Sequence, residues 1–478
     1  MLKTIQWALV LLSGVSFYLG FSLNGNFGWL IWIAPIPILY ISLTVKPGQA
    51  FVTAFLAYLI GRMSWFSYLK SVMPVVPAIL FTILLPLIFA LIILATRKII
   101  LKSQHWFSVF AYPVLFTAFE YIVFIFSRDG TAASIGYTQS NYLFLIQIAS
   151  LTGLLGISFL ISFIPSSIAL AYYFRKSKKT VFTLVFLLIL LLGDSIIFSL
   201  IRLGKPTEGR TFNIGMVALD EGTYKGIYGK DPAVKLKVAE LYLNEVSKLA
   251  DMGAEIILIP EKVIFVNDSS IKQILNKFSE LAFNRKIEII IGGSKEEHDK
   301  LFNNAWVISN NGKLMADYQK VNLFEGEVLD GYKTGNRIAI FHPDSFNEGV
   351  AVCKDMDFQQ FILGYSKQSP AVLWVPAWDF VTDGFLHSRM AIMRSVEGGF
   401  SMVRNARQGR LTISDRRGIV LYEANSENGS YTVLLGKISV KPHPTLYARA
   451  GDWFGTINLF AAIGFIIFLL KGKKRQPA

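Results

Sequence analysis

The single cysteine of the chain lies in the stretch GVAVCKDMDF, residues 349–358. A short apolar run leads to Cys353, and Lys354 and Asp355 follow it directly. A lone cysteine between apolar residues is more often a buried, inert residue than a nucleophile. A nucleophilic thiol needs a base that removes its proton and a donor that holds a developing oxyanion. Whether Cys353 is reactive therefore depends on partners elsewhere in the sequence.

A glutamate and a lysine end two other apolar runs and are candidates for these roles. Glu261 follows the run ILIP, and Lys320 ends the stretch ADYQK, after which come Glu325 and Glu327. Each alone is more commonly a solvated loop residue, because charged side chains are frequent where strands end. Together with Cys353, they supply a carboxylate base, an amine donor and a thiol nucleophile.

The elements that must position these residues begin near residue 211. Short Val- and Ile-rich runs predict strands, and longer amphipathic stretches predict helices. The strand runs are NIGMVALD, EIILIP, IEIIIGGS, AWVISN, RIAIF, VAVC, VLWVPA, FSMVRNA and YTVLLGKI, and the helices are 233–250, 270–284, 357–365 and 385–398. Strands that alternate with helices predict an α/β domain. The linker 202–210, with its glycines and proline, marks where the domain begins.

Composition indicates that this domain is joined to a membrane part. Charged residues make up 17% of the chain and the mean hydropathy is +0.46, whereas soluble proteins carry about 25% charged residues. Because a spanning helix needs about 20 mainly apolar residues, we predict eight spans, seven of them before residue 205. They are 5–22, 27–44, 49–69, 75–96, 106–127, 145–173, 180–201 and 454–470. The predicted regions are therefore a bundle at 1–204, a soluble domain at 205–452, and a final helix with a basic tail at 453–478.

Basic residues at the ends of the apolar segments predict the orientation. They are Lys3, Lys46, Arg97, Lys98, Lys102, Arg175, Lys176, Lys178, Lys179, Lys471, Lys473, Lys474 and Arg475. All fall on one side if the spans alternate, and positively charged loops stay in the cytoplasm. The soluble domain is then expected on the periplasmic side of a bacterial inner membrane, although Arg62 and Lys70 fall outside on this model. The net charge of +14 is thus explained by topology, and we expect no nucleic-acid partner.

Metal and cofactor chemistry are not expected from the sequence. The five histidines form no HExxH or other compact ligand pattern, and neither a P-loop nor a GxGxxG motif occurs. His387 follows the stretch VPAWDF, where it either makes a structural hydrogen bond or lines a pocket.

Several motifs of the soluble part recur in one superfamily. They are PE at 260–261, YQK at 318–320 with a following glutamate, GYKTGN, VCKDMDF, and VPAWDF followed by His387 and Arg389. In this combination the region from about 213 to 438 resembles the nitrilase, or carbon-nitrogen hydrolase, superfamily. The resemblance implies an αββα sandwich with a Glu-Lys-Cys triad of Glu261, Lys320 and Cys353. It also implies that Glu327, rather than Glu325, orients the lysine, although the sequence leaves both open.

Two further stretches resemble one membrane-bound branch of that superfamily. They are IGYTQSNYLFLIQIASLTGLLGISFLI, residues 135–161, and RMAIMRSVEGGFSMVRNARQGRLTISDRRG, residues 389–418. Both are similar to the apolipoprotein N-acyltransferase family, which implies a polytopic α-helical membrane bundle plus an α/β nitrilase-like sandwich domain. The implied reaction moves an acyl chain from a phospholipid donor to a diacylated apolipoprotein acceptor, by ping-pong chemistry through a thioester on Cys353. Glu261 would act as base, and Lys320 with the backbone N–H of Lys354 would hold the oxyanion.

The residues around the triad leave alternatives open. Lys354 and Asp355 stand where the family usually has an aromatic residue and a glutamate, so Lys354 is either a second cation beside the thiol or a surface lysine. Lys354, Asp355, Trp378 and His387 are expected to support the site. Because the segment between Glu327 and Cys353 is short, a membrane-bound amidase stays possible as a second function, and a binding protein without catalysis as a third. We expect a monomer.

Overall fold

The computed structural model of the protein describes residues 3–206, 208–224, 232–343 and 345–471. The chain divides into two compact units, Met1–Gly204 with Asp452–Ala478, and Lys205–Gly451. The sequence placed these divisions at 204/205 and 452/453. Lys473, Lys474 and Arg475 of the predicted basic tail lie outside the described residues.

The first unit is helical because it consists of long apolar runs whose backbone groups are paired within each helix. Its α-helices are Thr4–Gly20, Pro35–Thr44, Pro47–Arg62, Phe66–Val72, Val75–Ser103, Ala111–Phe126, Leu143–Ile146, Ala149–Thr152, Leu154–Tyr173, Lys178–Leu203 and Trp453–Leu470, with 3₁₀-helices at Gly28–Trp32, Met63–Trp65, Trp106–Phe110 and Ile135–Gln139. In the described part of the chain, six continuous helical segments are long and apolar enough to cross a membrane. They are Pro47–Val72, Val75–Ser103, Trp106–Phe126, Leu154–Tyr173, Lys178–Leu203 and Trp453–Leu470.

The sequence predicted eight spans, whereas the described residues contain these six segments of sufficient length. The helices Thr4–Gly20 and Gly28–Thr44, where spans were predicted, are apolar but shorter. The predicted span 145–173 is interrupted at Gly153, whose φ of +69° ends one short helix and starts the next. Five or seven spans before residue 205 are both odd numbers, so the predicted orientation of the soluble domain is the same in either case.

A buried glutamate holds an irregular segment inside the first unit. The backbone N–H of Ile135 donates to the carboxylate of Glu120 at 2.7 Å, and the Ser134 hydroxyl donates to it at 3.2 Å. Non-helical backbone within an apolar bundle needs such partners because lipid cannot supply them. This segment begins the stretch 135–161 in which the sequence shows its family resemblance.

The second unit contains two β-sheets. Its strands are β1 Arg210–Ala218, β2 Ile256–Leu258, β3 Ile264–Asn267, β4 Glu288–Glu297, β5 Lys300–Ile308, β6 Leu314–Gln319, β7 Tyr332–Lys333, β8 Ala339–Phe341, β9 Glu348–Val350, β10 Val372–Trp378, β11 Ser401–Arg407, β12 Arg410–Ser414, β13 Val420–Asn425 and β14 Thr432–Val440. One sheet has the order β14-β1-β2-β4-β5-β6, with β3 beside β4 and β7 beside β5, and the other has the order β13-β12-β11-β10-β9-β8. Strands β3, β7, β12 and β13 were not predicted from the sequence.

The two sheets face each other across an apolar core, and helices cover their outer faces. The inner core joins Met216 and Ile290 of one sheet to Val350 and Trp374 of the other, while separate clusters pack the helices against each outer face. The helices of this unit are Glu221–Tyr224, Pro232–Asp251, Ile271–Arg285, Glu325–Leu329, Gln359–Ser366, Gly384–Gly398 and Leu446–Ala450. This confirms the predicted fold class, a helical membrane bundle plus an αββα sandwich.

The directions of the strands decide at which edge of each sheet the polar residues that follow the strands lie. Strands β1, β2 and β4 are parallel, and β6 has the same direction because two antiparallel pairings connect it to β4. In the other sheet, β9, β10 and β11 are parallel.

Asn405 connects the two sheets, since its amide donates to the carbonyls of Val217 and Leu258 at 3.1 and 2.6 Å.

Candidate active site

Glu261 lies just beyond the end of β2, on the inner side of the sandwich. Its side chain is 2% exposed, and its backbone N–H donates to the carbonyl of Ala377 in β10 at 3.3 Å. Lys262, the next residue, has a φ of +57°, which is uncommon for a residue with a Cβ. The chain therefore turns sharply here and directs Glu261 between the sheets instead of into solvent.

Lys320 follows β6 and pairs with two carboxylates. Its Nζ donates to Oε1 of Glu261 and to Oε2 of Glu327, both at 2.8 Å, and its side chain is 1% exposed. Burial alone lowers the pKa of a lysine, but the adjoining carboxylates outweigh this and hold the pKa of Lys320 well above its ordinary value. Lys320 is therefore a permanent cation and can donate hydrogen bonds without losing its proton.

Glu327, not Glu325, is the second glutamate of the site. The short helix Glu325–Leu329 turns Glu327 inward and leaves Glu325 exposed. The Glu327 carboxylate accepts from the Phe324 backbone N–H at 2.9 Å and lies 3.1 Å from Nζ of Lys262. Burial raises the pKa of Glu327, but Lys320 and Lys262 lower it further, to about 2.

Asn303, which was not predicted from the sequence, also joins the two carboxylates. Its Nδ2 donates to Glu261 Oε1 and to Glu327 Oε1, both at 2.6 Å, and the residue is fully buried in β5. The backbone carbonyl of Asn303 also accepts from the N–H of Lys320 at 2.8 Å. The signal in the sequence was a pair of asparagines that interrupts an otherwise apolar strand.

Cys353 begins a tight turn directly after β9. The predicted strand VAVC ends at Val350, and Cys353–Asp357 form one 3₁₀ turn. Cys353 has a φ of +45°, and it is the one residue from 348 to 357 that is not buried. Its thiol donates to the carbonyl of Trp378 at 3.5 Å. A strained backbone that presents one partly exposed side chain is typical of a functional position.

The electrostatic surroundings keep the thiol protonated at rest. Burial raises the pKa of Cys353 well above its ordinary value, Glu261 raises it further, and Lys320 lowers it. A thiol in this state reacts only when a base removes its proton during the attack. Glu261 supplies a carboxylate close enough to influence the thiol, and Lys320 supplies a cation.

Asp355, predicted to support the site, holds the turn in place. Its carboxylate accepts from the Tyr318 hydroxyl at 2.6 Å, from the Val352 N–H at 3.0 Å, and from the N–H of Asn322 at 2.8 Å. Because Asn322 lies two residues after Lys320, these bonds connect the nucleophile turn to the lysine segment.

Of the two positions predicted for Lys354, the structure excludes the one on the surface. Its side chain is 9% exposed, so it is not a surface lysine, and its Nζ lies 3.7 Å from Oδ2 of Asp357. His387 also contacts Asp357, at 3.7 Å from Nδ1, and its Nε2 lies 3.1 Å from Oδ2 of Asp383. Of the two roles predicted for His387, these contacts favour the structural one.

Trp378 lies between two cations next to the thiol. Nζ of Lys262 is 4.8 Å and the guanidinium carbon of Arg407 is 3.9 Å from its ring centroid. Its indole N–H donates to Gln408 at 2.6 Å. Cations over an indole face are attracted by its quadrupole. Together these contacts fix the side chain of Trp378, the residue whose backbone carbonyl accepts from the Cys353 thiol.

Apolar side chains are exposed on the two segments that adjoin the triad. After Glu327 come Val328 and Leu329, which are 57% and 82% exposed, and after Trp378 come Phe380 and Val381, which are 39% and 40% exposed. Val381 has a φ of +65°, a strained conformation for a β-branched residue. The two segments contact each other through the rings of Phe324 and Phe380, whose centroids are 5.0 Å apart.

One group of possible metal ligands occurs in the described part of the chain. It consists of Asp268, Glu297 and His298, whose ligand atoms lie within 4.8 Å of one another. No triad residue belongs to this group. The triad consists of a thiol, a carboxylate and a permanently charged amine, and these can perform acyl transfer without further groups.

Comparison with known proteins finds relatives for both parts of the chain. A model of the apolipoprotein N-acyltransferase N-terminal domain matches residues 13–167, and the carbon-nitrogen hydrolase model matches residues 225–458. An apolipoprotein N-acyltransferase from Geobacter metallireducens is 25% identical, over 94% of the chain and 92% of its own length. A deaminated glutathione amidase from Synechocystis is 28% identical, over 39% of the chain and 83% of its own length. Among solved structures, Saccharomyces cerevisiae Nit3, a nitrilase superfamily member, matches with a TM-score of 0.42 at 16% identity, over 49% of the chain and 92% of its own length.

Proposed function

Because the chain belongs to the apolipoprotein N-acyltransferase family of the nitrilase superfamily, we propose that Cys353 carries an acyl chain from a membrane phospholipid to a lipoprotein. The protein is a membrane-embedded acyltransferase that acts on lipoproteins. The mechanism rests on one observation, a partly exposed, strained thiol beside the buried pair of Lys320 and Glu261. The acyl donor, the roles of the residues and the orientation in the membrane are the parts that we propose.

In the first step, the thiol of Cys353 attacks the ester carbonyl of a phospholipid while Glu261 accepts its proton. The tetrahedral oxyanion is held by Nζ of Lys320 and by the backbone N–H of Lys354. One such donor lowers the barrier by about 3 kcal/mol. Collapse breaks the ester bond and forms the thioester, and the proton returns from Glu261 to the oxygen of the departing lysophospholipid.

In the second step, the α-amine of a diacylglyceryl-modified N-terminal cysteine attacks the thioester. Glu261 accepts a proton from the amine, an amide bond forms, and the thiolate of Cys353 leaves and regains the proton. The permanent charge of Lys320 serves both steps, because the same oxygen becomes an oxyanion twice. This ping-pong sequence requires that the base, the cation and the thiol act at one place.

The surrounding residues favour this use of the triad. Asn303 donates to Glu261, and Glu327 accepts from Lys320, so each member of the Glu261–Lys320 pair has a further partner that limits its orientation. A phospholipid donor is supported by the exposed apolar side chains of the segments that follow Glu327 and Trp378, namely Val328, Leu329, Phe380 and Val381. An acyl chain that stays in contact with an apolar surface avoids a cost of about 0.8 kcal/mol per CH₂ group exposed to water.

The location that we propose is the bacterial inner membrane, with the soluble domain on the periplasmic side. The support is the distribution of basic residues, since the clusters at Arg97–Lys102 and Arg175–Lys179 fall on the cytoplasmic side of alternating spans. An odd number of spans before residue 205 carries the soluble domain to the opposite face. The monomeric state stays a prediction.

The amidase that the sequence left open has less support. The amidase relative aligns with 39% of the chain, whereas the acyltransferase relative aligns with 94%. An amidase acting on a small soluble substrate also has no use for a long helical bundle. Hydrolysis is therefore tested as the alternative outcome of the transfer experiment.

The test is to incubate the purified protein with a phospholipid labelled in its acyl chains, with and without a diacylated lipopeptide. We expect a labelled enzyme in the absence of the peptide and a labelled triacylated peptide in its presence. Cys353→Ala is expected to lose both products, and Glu325→Gln, at an exposed position near the site, to keep them. Free fatty acid as the main product with the peptide present would identify a hydrolase instead.

A further inference from the structure

The turn that carries the nucleophile is strained and must be held from outside. Its first residue, Cys353, has a φ of +45° in the left-handed region. A residue with a Cβ persists in that region only when its surroundings determine the backbone conformation. Two carboxylates of the turn, Asp355 and Asp357, provide contacts of different kinds.

Asp355 is a hydrogen-bonded anchor. It accepts from the Tyr318 hydroxyl at 2.6 Å and from the backbone and side-chain nitrogens of Asn322 at 2.8 and 3.0 Å. The pKa of Tyr318 is well above its ordinary value because of burial and the neighbouring Asp355. The Tyr318 donor therefore keeps its proton at pH values where enzymes work.

Asp357 is an ionic anchor. It lies at the end of the turn, 3.7 Å from Nδ1 of His387 and 3.7 Å from Nζ of Lys354. His387 belongs to the helix Gly384–Gly398, so this contact ties the turn to a second element. The strength of such an anchor depends on whether the imidazole carries a charge.

The charged groups around His387 favour the cationic imidazole. Its Nε2 lies 3.1 Å from Asp383, and Asp379 is nearby but paired with Arg404 at 2.5 and 2.8 Å. Burial alone lowers the pKa of His387, but Asp383 and Asp357 raise it well above its ordinary value. The same contacts lower the pKa of Asp357 despite its burial. Lys354, on the turn itself, and Arg404 are further charged groups that act on Asp357.

We propose that His387 is a positioning residue that, as an imidazolium held by Asp383, fixes the nucleophile turn through Asp357. The contact is present below the pKa of His387 in the folded protein and is lost as the pH rises through that value. The reactivity of Cys353 then depends on the charge of His387, a residue that takes no part in the bond changes. This inference rests on the proposed role of Cys353 as nucleophile.

Alkylation of Cys353 tests the proposal without lipid or lipoprotein substrates. Because the chain has one cysteine, the mass gained with iodoacetamide reports Cys353 alone in the full-length protein in detergent. The rate is measured between pH 6 and pH 10 for the wild type and for His387→Gln. The ratio of the two rates removes the common dependence on thiol ionisation.

We expect His387→Gln to react at least threefold more slowly than the wild type at pH 6 and at the same rate at high pH. Asp383→Asn should lower the pH at which the wild-type advantage disappears, because it removes the carboxylate nearest Nε2. His387→Lys, which keeps the cation, should retain the advantage at high pH. Tyr318→Phe, in the hydrogen-bonded anchor, should change the rate by a factor that is independent of pH.

A rate ratio for His387→Gln that is the same at every pH would contradict the proposal and leave His387 as a packing residue. A ratio of one throughout would contradict it as well. Thermal unfolding of each variant shows whether a slow rate reflects loss of the fold. If His387→Gln does not fold, the pH dependence of the rates of His387→Lys and Asp383→Asn decides whether the charge of His387 matters. Failure of these tests with normal acyl transfer would overturn the role of His387 and leave the proposed function intact.

Discussion

The soluble domain buries two pairs of carboxylates at opposite ends of its parallel strands, and their surroundings are opposite in kind. Glu261 and Glu327, the catalytic pair of the proposed mechanism, lie beyond the strand ends and share the ammonium of Lys320 at 2.8 Å. Glu288 and Glu348, the strand-start carboxylates, begin β4 and β9. Glu348 accepts from the neutral indole N–H of Trp374 at 2.7 Å.

The pKa values of Glu288 and Glu348 differ accordingly from that of Glu327. Burial raises the pKa of Glu348 to about 7, and it raises that of Glu288 well above its ordinary value, with Glu348 adding to the effect. Arg210 offsets only part of this. In the catalytic pair, Lys320 and Lys262 reverse the effect of burial and hold the pKa of Glu327 at about 2. Burial is therefore common to both pairs, and the neighbouring lysines keep Glu327 ionised despite its burial.

Removal of the shared lysine should make the catalytic pair resemble the strand-start pair. We expect Lys320→Met to reduce acyl transfer by about 10³-fold, because the oxyanion loses its main donor. We also expect the free energy of unfolding to fall by about 3 to 5 kcal/mol, because two buried carboxylates lose their cation. Transfer assays and denaturation midpoints measure the two effects. Lys333→Met, at an exposed position nearby, is the control. A transfer rate of Lys320→Met within tenfold of the wild-type rate would contradict the role of the cation.

The second glutamate offers a matched pair of variants on one short helix. Glu327→Gln removes the charge that orients Lys320 and should reduce transfer by about 10²-fold, or about 3 kcal/mol in the barrier. Glu325→Gln lies two residues away with its side chain exposed and should change the rate less than twofold. Steady-state rates at saturating lipopeptide measure both. Equal effects of the two changes would show that the carboxylate contact with Lys320 is not used.

The sequence was informative where chemistry coincides with the end of an apolar run. Glu261, Lys320 and Cys353 were found because each follows a strand, and the structure brings the first two into direct contact. Asn303 was missed because it lies within a strand, where an amide gives no signal of charge. Glu288 and Glu348 were missed because an acid at a strand start resembles a solvated residue, and only the packing of the two sheets buries it. The position of Lys354 was left open between two alternatives because its partner, Asp357, depends on how the turn folds.

Glu348, at a strand start, should make stability depend on pH in the direction opposite to Glu327. The folded pKa of Glu348 is raised from 4.5 to about 7, so the stability that its proton provides is present below pH 4.5 and is lost as the pH rises towards 7. Glu327, with a pKa of about 2, contributes fully above pH 4.5 and loses its contribution only as the pH falls towards 2.

Glu348→Gln should therefore stabilise the protein at pH 8 by about 2 to 3 kcal/mol and leave it nearly unchanged at pH 4.5. Thermal unfolding of the full-length protein in detergent at both pH values measures the difference. Glu240→Gln, at a 54% exposed position, serves as the control. A loss of stability at pH 8 in Glu348→Gln would show that this carboxylate is charged and satisfied, as Glu327 is.

Variants of two adjacent asparagines in β5 distinguish an effect on catalysis from the effect of changing a buried amide. Asn303 donates to both catalytic carboxylates, whereas Asn304, equally buried, points to the other face of the sheet and donates to Asp317 at 2.7 Å. Each change to alanine should lower the free energy of unfolding by about 1 to 2 kcal/mol. Only Asn303→Ala should also reduce transfer, by about tenfold. A similar loss of transfer in Asn304→Ala would indicate a general effect on the strand.

The most direct test of the central claim is the mass of the intact protein during turnover. With phospholipid alone, the mass should rise by one acyl group, and peptide mapping should locate that group on Cys353. Addition of the diacylated lipopeptide should remove the group at least as fast as steady-state turnover, with one triacylated peptide formed per acyl group lost. Triacylated peptide formed by Cys353→Ala, or wild-type turnover with an adduct that disappears more slowly than product forms, would contradict the account.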